Sequence, residues 1–131
     1  MRRIDLSFML LAAASLLVGV CLGIWMGLSH DFAFAPVHAH LNLLGWASLA
    51  LFGLTYRAWP DLAASRLAAF HLGVSAPGAV MFPAGIAISL TGGGVAVATA
   101  GALLWLAGVL AFLAGLARLA WAPALGAAPA E

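Results

Sequence analysis

The sequence predicts an all-α membrane protein: an antiparallel bundle of four transmembrane helices with both termini in the cytoplasm. Three observations predict it. Of 131 residues, 66% are hydrophobic and 7% charged, whereas a soluble domain carries about a quarter charged residues. Four segments reach the roughly 20 mostly apolar residues that a spanning helix needs. All five arginines fall on one side of those segments. The length suits one unit, 1–131, and no linker or charge run divides it.

The first helix covers roughly Leu6–Leu28. Met1-Arg2-Arg3 ahead of an apolar run also suits a signal peptide, with Ala33-Phe34-Ala35 as a cleavage-like site. The run has 23 residues, beyond the usual signal-peptide core of about 7–15, and Pro36 would follow the cut directly. A retained helix is the reading. Gly19, Gly23 and Gly27 form two small-xxx-small steps that let another backbone approach closely. Cys21 is the only cysteine; it cannot form an intrachain disulfide and reads as a small apolar packing residue.

The second helix covers roughly Pro36–Tyr56, the third Leu67–Leu90 and the fourth Val95–Ala117. Ser29-His30-Asp31, the stretch Arg57 to Arg66, and Thr91-Gly92-Gly93-Gly94 separate them. Such short connections make consecutive helices antiparallel neighbours. Pro77 and Pro83 predict a kink in the third helix. On the fourth, Gly94, Gly101, Gly108 and Gly115 recur every seven residues, nearly on one face. Plain helix packing is the main reading of these glycines. The functional one is a flat groove for a planar cofactor or a neighbouring subunit.

Orientation follows from Arg2, Arg3, Arg57, Arg66 and Arg118, which the positive-inside rule places in the cytoplasm. Trp59 and Trp121 then sit at that interface and Trp25 near the opposite one. A bacterial-type inner membrane is the expected location, with lipid as the surrounding partner. The chain has no Lys, and its five Arg and four acids nearly cancel, so no basic patch exists for nucleic acid.

The polar residues inside the spans carry the functional argument. Pro36 suits the start of a helix, where its missing N–H costs nothing, and His38 and His40 follow within two turns. Ionisable groups at membrane depth are costly and mark functional sites by default. Residues at i and i+2 lie about 200° apart at 3.6 residues per turn, so the two rings point to opposite flanks and cannot chelate one metal from a regular helix. Asn42, four residues after His38, shares its face and is placed to support it. The competing reading leaves both histidines at headgroup level, bonded to water or carbonyls, and the residues alone do not separate the two. His71 opens the third helix, roughly 15–20 Å from His38 and His40 along the membrane normal, and reads as an interfacial or interhelical hydrogen-bonding residue rather than a ligand. His30 reads as a solvated loop residue.

Several chemistries are excluded. There is no Cys-x-x-Cys-His for covalent haem, no phosphate-binding Gly-rich loop and no zinc cluster. Asp5, Asp31, Asp61 and Glu131 sit at ends or loops, so no acid lies deep in the membrane for proton coupling. No nucleophile–base pair can be assembled, and one chain alone makes a poor enzyme.

The stretch Pro36-Val37-His38-Ala39-His40-Leu41-Asn42-Leu43-Leu44-Gly45-Trp46, continuing to Phe52-Gly53 and Tyr56-Arg57, resembles subunit I of haem–copper oxidases, especially cbb3-type oxidases and nitric oxide reductases. The resemblance covers about 22 residues, and Phe70-His71-Leu72 fits less closely. In that family a His-x-His on a helix ligates two different haems, and His38 and His40 match its spacing. The family's twelve helices form three arcs of four, so a four-helix chain is the size of one arc. The resemblance therefore implies a homotrimer that rebuilds the ring. His38 of one subunit and His40 of the next would hold one haem b at each interface, with Asn42 supporting the ligand and Trp46 packing on the cofactor. The copper-site histidines and catalytic tyrosine of the family have no counterpart here, so oxygen or nitric oxide reduction is not implied. Two axial histidines favour electron transfer over ligand activation.

Three functions remain open at this point. The first is a haem b cytochrome for electron transfer or haem-based sensing, with a respiratory-chain partner. The second is a cofactor-free accessory or assembly subunit of a respiratory complex. The third is copper or zinc handling, since imidazole suits both ions.

Overall fold

The computed structural model describes residues 3–121; Arg2 and Glu131, assigned above to the cytoplasmic side and to a solvated end, lie outside the described residues. Among those residues every regular element is helical. Helix α1 spans Ile4–Ser29. The second span, Ala35–Ala58, consists of α2 (Ala35–His40), a π-helical segment (Leu41–Ser48) and α3 (Leu49–Ala58). A short α4 (Pro60–Ala63) sits in the following connection, and α5 (Arg66–Leu90) and α6 (Ala96–Trp121) complete the chain. Four helices are thus long and apolar enough to cross a membrane, with mean hydropathies of 2.3, 1.3, 1.5 and 2.1.

Local chemistry sets the boundaries. α1 runs to Ser29 and closes on His30, whose φ of 55° puts it in the left-handed region; the Asp31 carboxylate then accepts from the Ala33 N–H at 2.9 Å. α5 begins where Ser65 accepts from the Ala68 N–H at 3.1 Å, an N-cap that satisfies one orphan donor. The last connection turns at Gly92, with φ of 89°. Helices α1 and α6 extend past the apolar runs, to Ile4 and Trp121, because a helical backbone can continue into the headgroup layer without exposing unpaired groups to hydrocarbon. α5 is one helix through both Pro77 and Pro83.

The π segment is the main departure from the expected regular helix. Asn42 places a side-chain amide N–H on the His38 carbonyl at 2.8 Å, the acceptor that an α ladder gives to the backbone N–H of residue 42. A side chain inserted into the ladder is a recognised cause of such local change. Further along, the Ser48 hydroxyl donates to the Leu43 carbonyl five residues back, at 2.9 Å.

The spans pack in chain order. α1 lies along the second span and also touches α5, the second span touches α5, and α5 packs most closely on α6; Phe52 of the second span also meets Phe112 of α6, ring centroids 4.5 Å apart. Glycines make the α5–α6 contact close: a Cβ at Gly101 would collide with the Phe82 backbone, and one at Gly85 with the Ala98 backbone. Gly108 receives the Ser75 side chain, and a Cβ at Gly115 would lie 3.0 Å from Leu62 Cδ1. Gly101, Gly108 and Gly115 thus serve packing within the chain, while Gly94 meets nothing within 4 Å. Cys21 faces outward. Its expected place in the packing is corrected accordingly, since an apolar thiol is as well solvated by lipid as by protein.

The buried core lies toward the arginine-bearing end, where Phe8, Leu49, His71 and Ser75 are fully buried. Arg3, Arg57 and Arg66 line one cleft there, and Arg118 lines a neighbouring one with Asp61 and Ser65. The four described arginines therefore share one end of the molecule. Trp59 and Trp121 are exposed, and Trp25 sits against Phe34 near the first connection, ring centroids 6.1 Å apart.

Candidate functional site

Helix α2 carries both candidate ligands in its second half. The His38 ring rests on α1, where a Cβ at Gly23 would come within 2.8 Å of its Cε1. Only a residue without a side chain leaves that seat open. His38 Nδ1 lies 2.9 Å from the Gly19 carbonyl oxygen. A carbonyl can only accept, so Nδ1 carries the proton and donates, and Nε2 keeps the lone pair.

His40 follows the same rule with a different partner. Its Nδ1 lies 2.7 Å from the Pro36 carbonyl oxygen, so Nδ1 again donates and Nε2 holds the lone pair. The ring meets Phe82 of α5 edge-on, with centroids 4.8 Å apart and an interplanar angle of 62°. One histidine therefore faces α1 and the other α5, as the 200° separation at i, i+2 requires.

Asn42 stands beside His38, its Nδ2 3.4 Å from each ring nitrogen, while its short hydrogen bond goes to the His38 carbonyl. The amide also fills the space over Gly19, where a Cβ would lie 2.9 Å from Nδ2. Asn42 thus walls the ring, and the Gly19 carbonyl orients it. Sequence reasoning assigned the support to Asn42 and missed Gly19. A signal existed: two glycines four residues apart on α1 face two polar residues four apart on the second span. Trp46 is 36% exposed.

Between α1 and α5 lies an apolar groove of about 340 Å³. Val37 and Leu41 form its floor, Val18 and Pro83 stand on its walls, and at 100° per residue the floor direction falls between those of the two rings.

The other histidines are elsewhere. His71 is fully buried and joined to Tyr56, whose hydroxyl lies 2.8 Å from Nδ1. Phe8, Phe52 and Phe112 surround the ring at centroid distances of 4.8, 4.6 and 5.4 Å. It is an interhelical hydrogen-bonding residue, as its position suggested. Its Nε2 and the Ser75 hydroxyl have no hydrogen-bond partner among the described residues. His30 is exposed at the end of α1. Among the described residues no three His, Cys, Asp or Glu side chains converge. Compared with family profiles, curated proteins and solved structures, the chain matches none.

Proposed function

We propose that this chain is a haem b-binding membrane cytochrome, serving electron transfer or haem-based sensing, with His38 and His40 as axial ligands. One observation carries the reading: both histidines give Nδ1–H to a main-chain carbonyl, which leaves each Nε2 with a lone pair. That is the state a ligating imidazole needs, because the bond made by the other nitrogen fixes the tautomer and raises ligand basicity. The residues present therefore fit the group. When bound, haem supplies one-electron redox chemistry. The chain supplies two oriented imidazoles, the Gly19–Gly23 seat that holds one of them, and an apolar groove between α1 and α5.

The opposite flanks of the two rings support sharing between subunits, with His38 of one copy and His40 of the next on a single haem. Each copy then offers one ring to each of two neighbours. A homotrimer closes such a ring. In this reading the arginine-bearing end is cytoplasmic, and the histidines lie toward the external face of a bacterial-type inner membrane, where a respiratory-chain partner exchanges electrons.

Native mass spectrometry of the detergent-purified protein tests both parts. Three chains carrying three haems is the expected mass. Haem on monomers or dimers would overturn the trimer. A chain that stays free of haem after expression with added haem would overturn the cytochrome, and bound copper or zinc in its place would assign the histidines to metal handling.

A further inference from the structure

At the arginine-bearing end, three cations from three separate parts of the chain converge on one cleft. Arg3 precedes α1, Arg57 lies in the last turn of α3, and Arg66 opens α5. The cleft has a volume of about 570 Å³, and its apolar walls include Ile4, Ala63 and Ala69. Asp5 is the only acid in its lining among the described residues, so that lining sums to three positive charges and one negative.

Asp5 does not quench that charge. Its carboxylate takes Arg57 at 3.1 Å and Arg3 at 3.5 Å, and it is itself only 13% exposed while the two arginine side chains are 68% and 58% exposed. A guanidinium carries five N–H donors, so each arginine is held in place by Asp5 and keeps donors for an outside acceptor. Arg66 is exposed and has no acid partner among the described residues. Two tethered guanidiniums and a third, with apolar walls below, describe an anion seat at the level where spanning helices leave the hydrocarbon.

We infer that this cleft binds the phosphate of an anionic glycerophospholipid, with Arg3, Arg57 and Arg66 on the headgroup and the Ile4–Ala63–Ala69 wall against the start of an acyl chain. Arg–phosphate hydrogen bonds are among the stronger charge-assisted ones, and basic pockets between transmembrane helices are suited to anionic headgroups. The phosphate is the recognised group, and its source is either the bilayer or solution.

The test is native mass spectrometry of the full chain in detergent with phosphatidylglycerol or phosphatidylcholine added, for the wild type, Arg66→Gln, Arg57→Gln/Arg66→Gln and Arg118→Gln. Circular dichroism checks that each variant keeps its helix. The expected result is preferential retention of phosphatidylglycerol, reduced by about 10-fold or more in the double variant. Arg66→Gln, which breaks no ion pair among the described residues, is expected to show part of that loss, and Arg118→Gln none. A parallel arm measures the thermal midpoint with inorganic phosphate and no added lipid. A rise there that requires Arg57 and Arg66 keeps the phosphate assignment and names solution as its source. Equal retention of the two lipids, or equal losses in Arg118→Gln and Arg66→Gln, would overturn the site.

Discussion

The Nδ1 of His38 donates to the main-chain carbonyl of Gly19, 2.9 Å away on the neighbouring span. This bond does two things at once: it ties the second span to α1, and it decides which ring nitrogen of His38 is left to bind a ligand. A backbone acceptor is hard to remove by mutation, but the seat that brings the ring to it is not.

That seat gives the first prediction. A Cβ at Gly23 would come 2.8 Å from the His38 Cε1, so Gly23→Ala pushes the ring away from the Gly19 carbonyl. Gly27 has nothing within 4 Å, and Gly27→Ala serves as the control. Haem content of the purified variants is expected to fall for Gly23→Ala and to hold for Gly27→Ala. Equal haem content in both would show that the glycine seat does not govern the ligand.

A second prediction concerns Tyr56 and His71, joined at 2.8 Å with Phe8, Phe52 and Phe112 around the imidazole. Tyr56→Phe strands the buried His71 Nδ1, a loss expected to cost about 1–3 kcal/mol. Replacing both partners with apolar residues is expected to recover most of it, because no buried polar atom of the pair is then left unpaired. A double-mutant cycle of Tyr56→Phe and His71→Leu, followed by denaturation in detergent, reads the coupling. Additive losses would mean that the bond contributes nothing. His71→Leu is also expected to leave the haem spectrum unchanged, as His71 lies in the core apart from His38 and His40.

The third prediction tests the α5–α6 contact. Gly101→Ala meets the Phe82 backbone and Gly85→Ala meets the Ala98 backbone, whereas Gly94→Ala meets nothing within 4 Å. Overpacking of this kind costs about 1–3 kcal/mol, so thermal midpoints are expected to drop for the first two and to hold for the third. If all three behaved alike, the seven-residue glycine spacing would have no packing role.

Much of this architecture could be read from the chain. The spans and their breaks follow from apolar runs interrupted by Ser29-His30-Asp31, by Pro60 and Asp61, and by Gly92 to Gly94, because in lipid few other patterns satisfy the backbone. The opposite directions of His38 and His40 follow from helix geometry alone. Three features did not follow. The π segment at Leu41–Ser48 depends on which donor reaches the His38 carbonyl, and composition carries no trace of that choice. The Gly19 carbonyl is a backbone group that a search for polar side chains does not find, and only the matched spacing of Gly19–Gly23 with His38–Asn42 hinted at it. The burial of His71 against Tyr56 depends on how two spans rotate about their axes, which an apolar sequence leaves undetermined when nearly every face is hydrophobic.

The central claim is that His38 and His40 ligate haem through Nε2. A reduced-minus-oxidised visible spectrum of the detergent-purified protein, beside His38→Ala and His40→Ala, tests it most directly. A sharp haem b band is expected in the parent and lost in each variant. A band that survives either substitution, or a parent protein that stays colourless after expression with added haem, would contradict it.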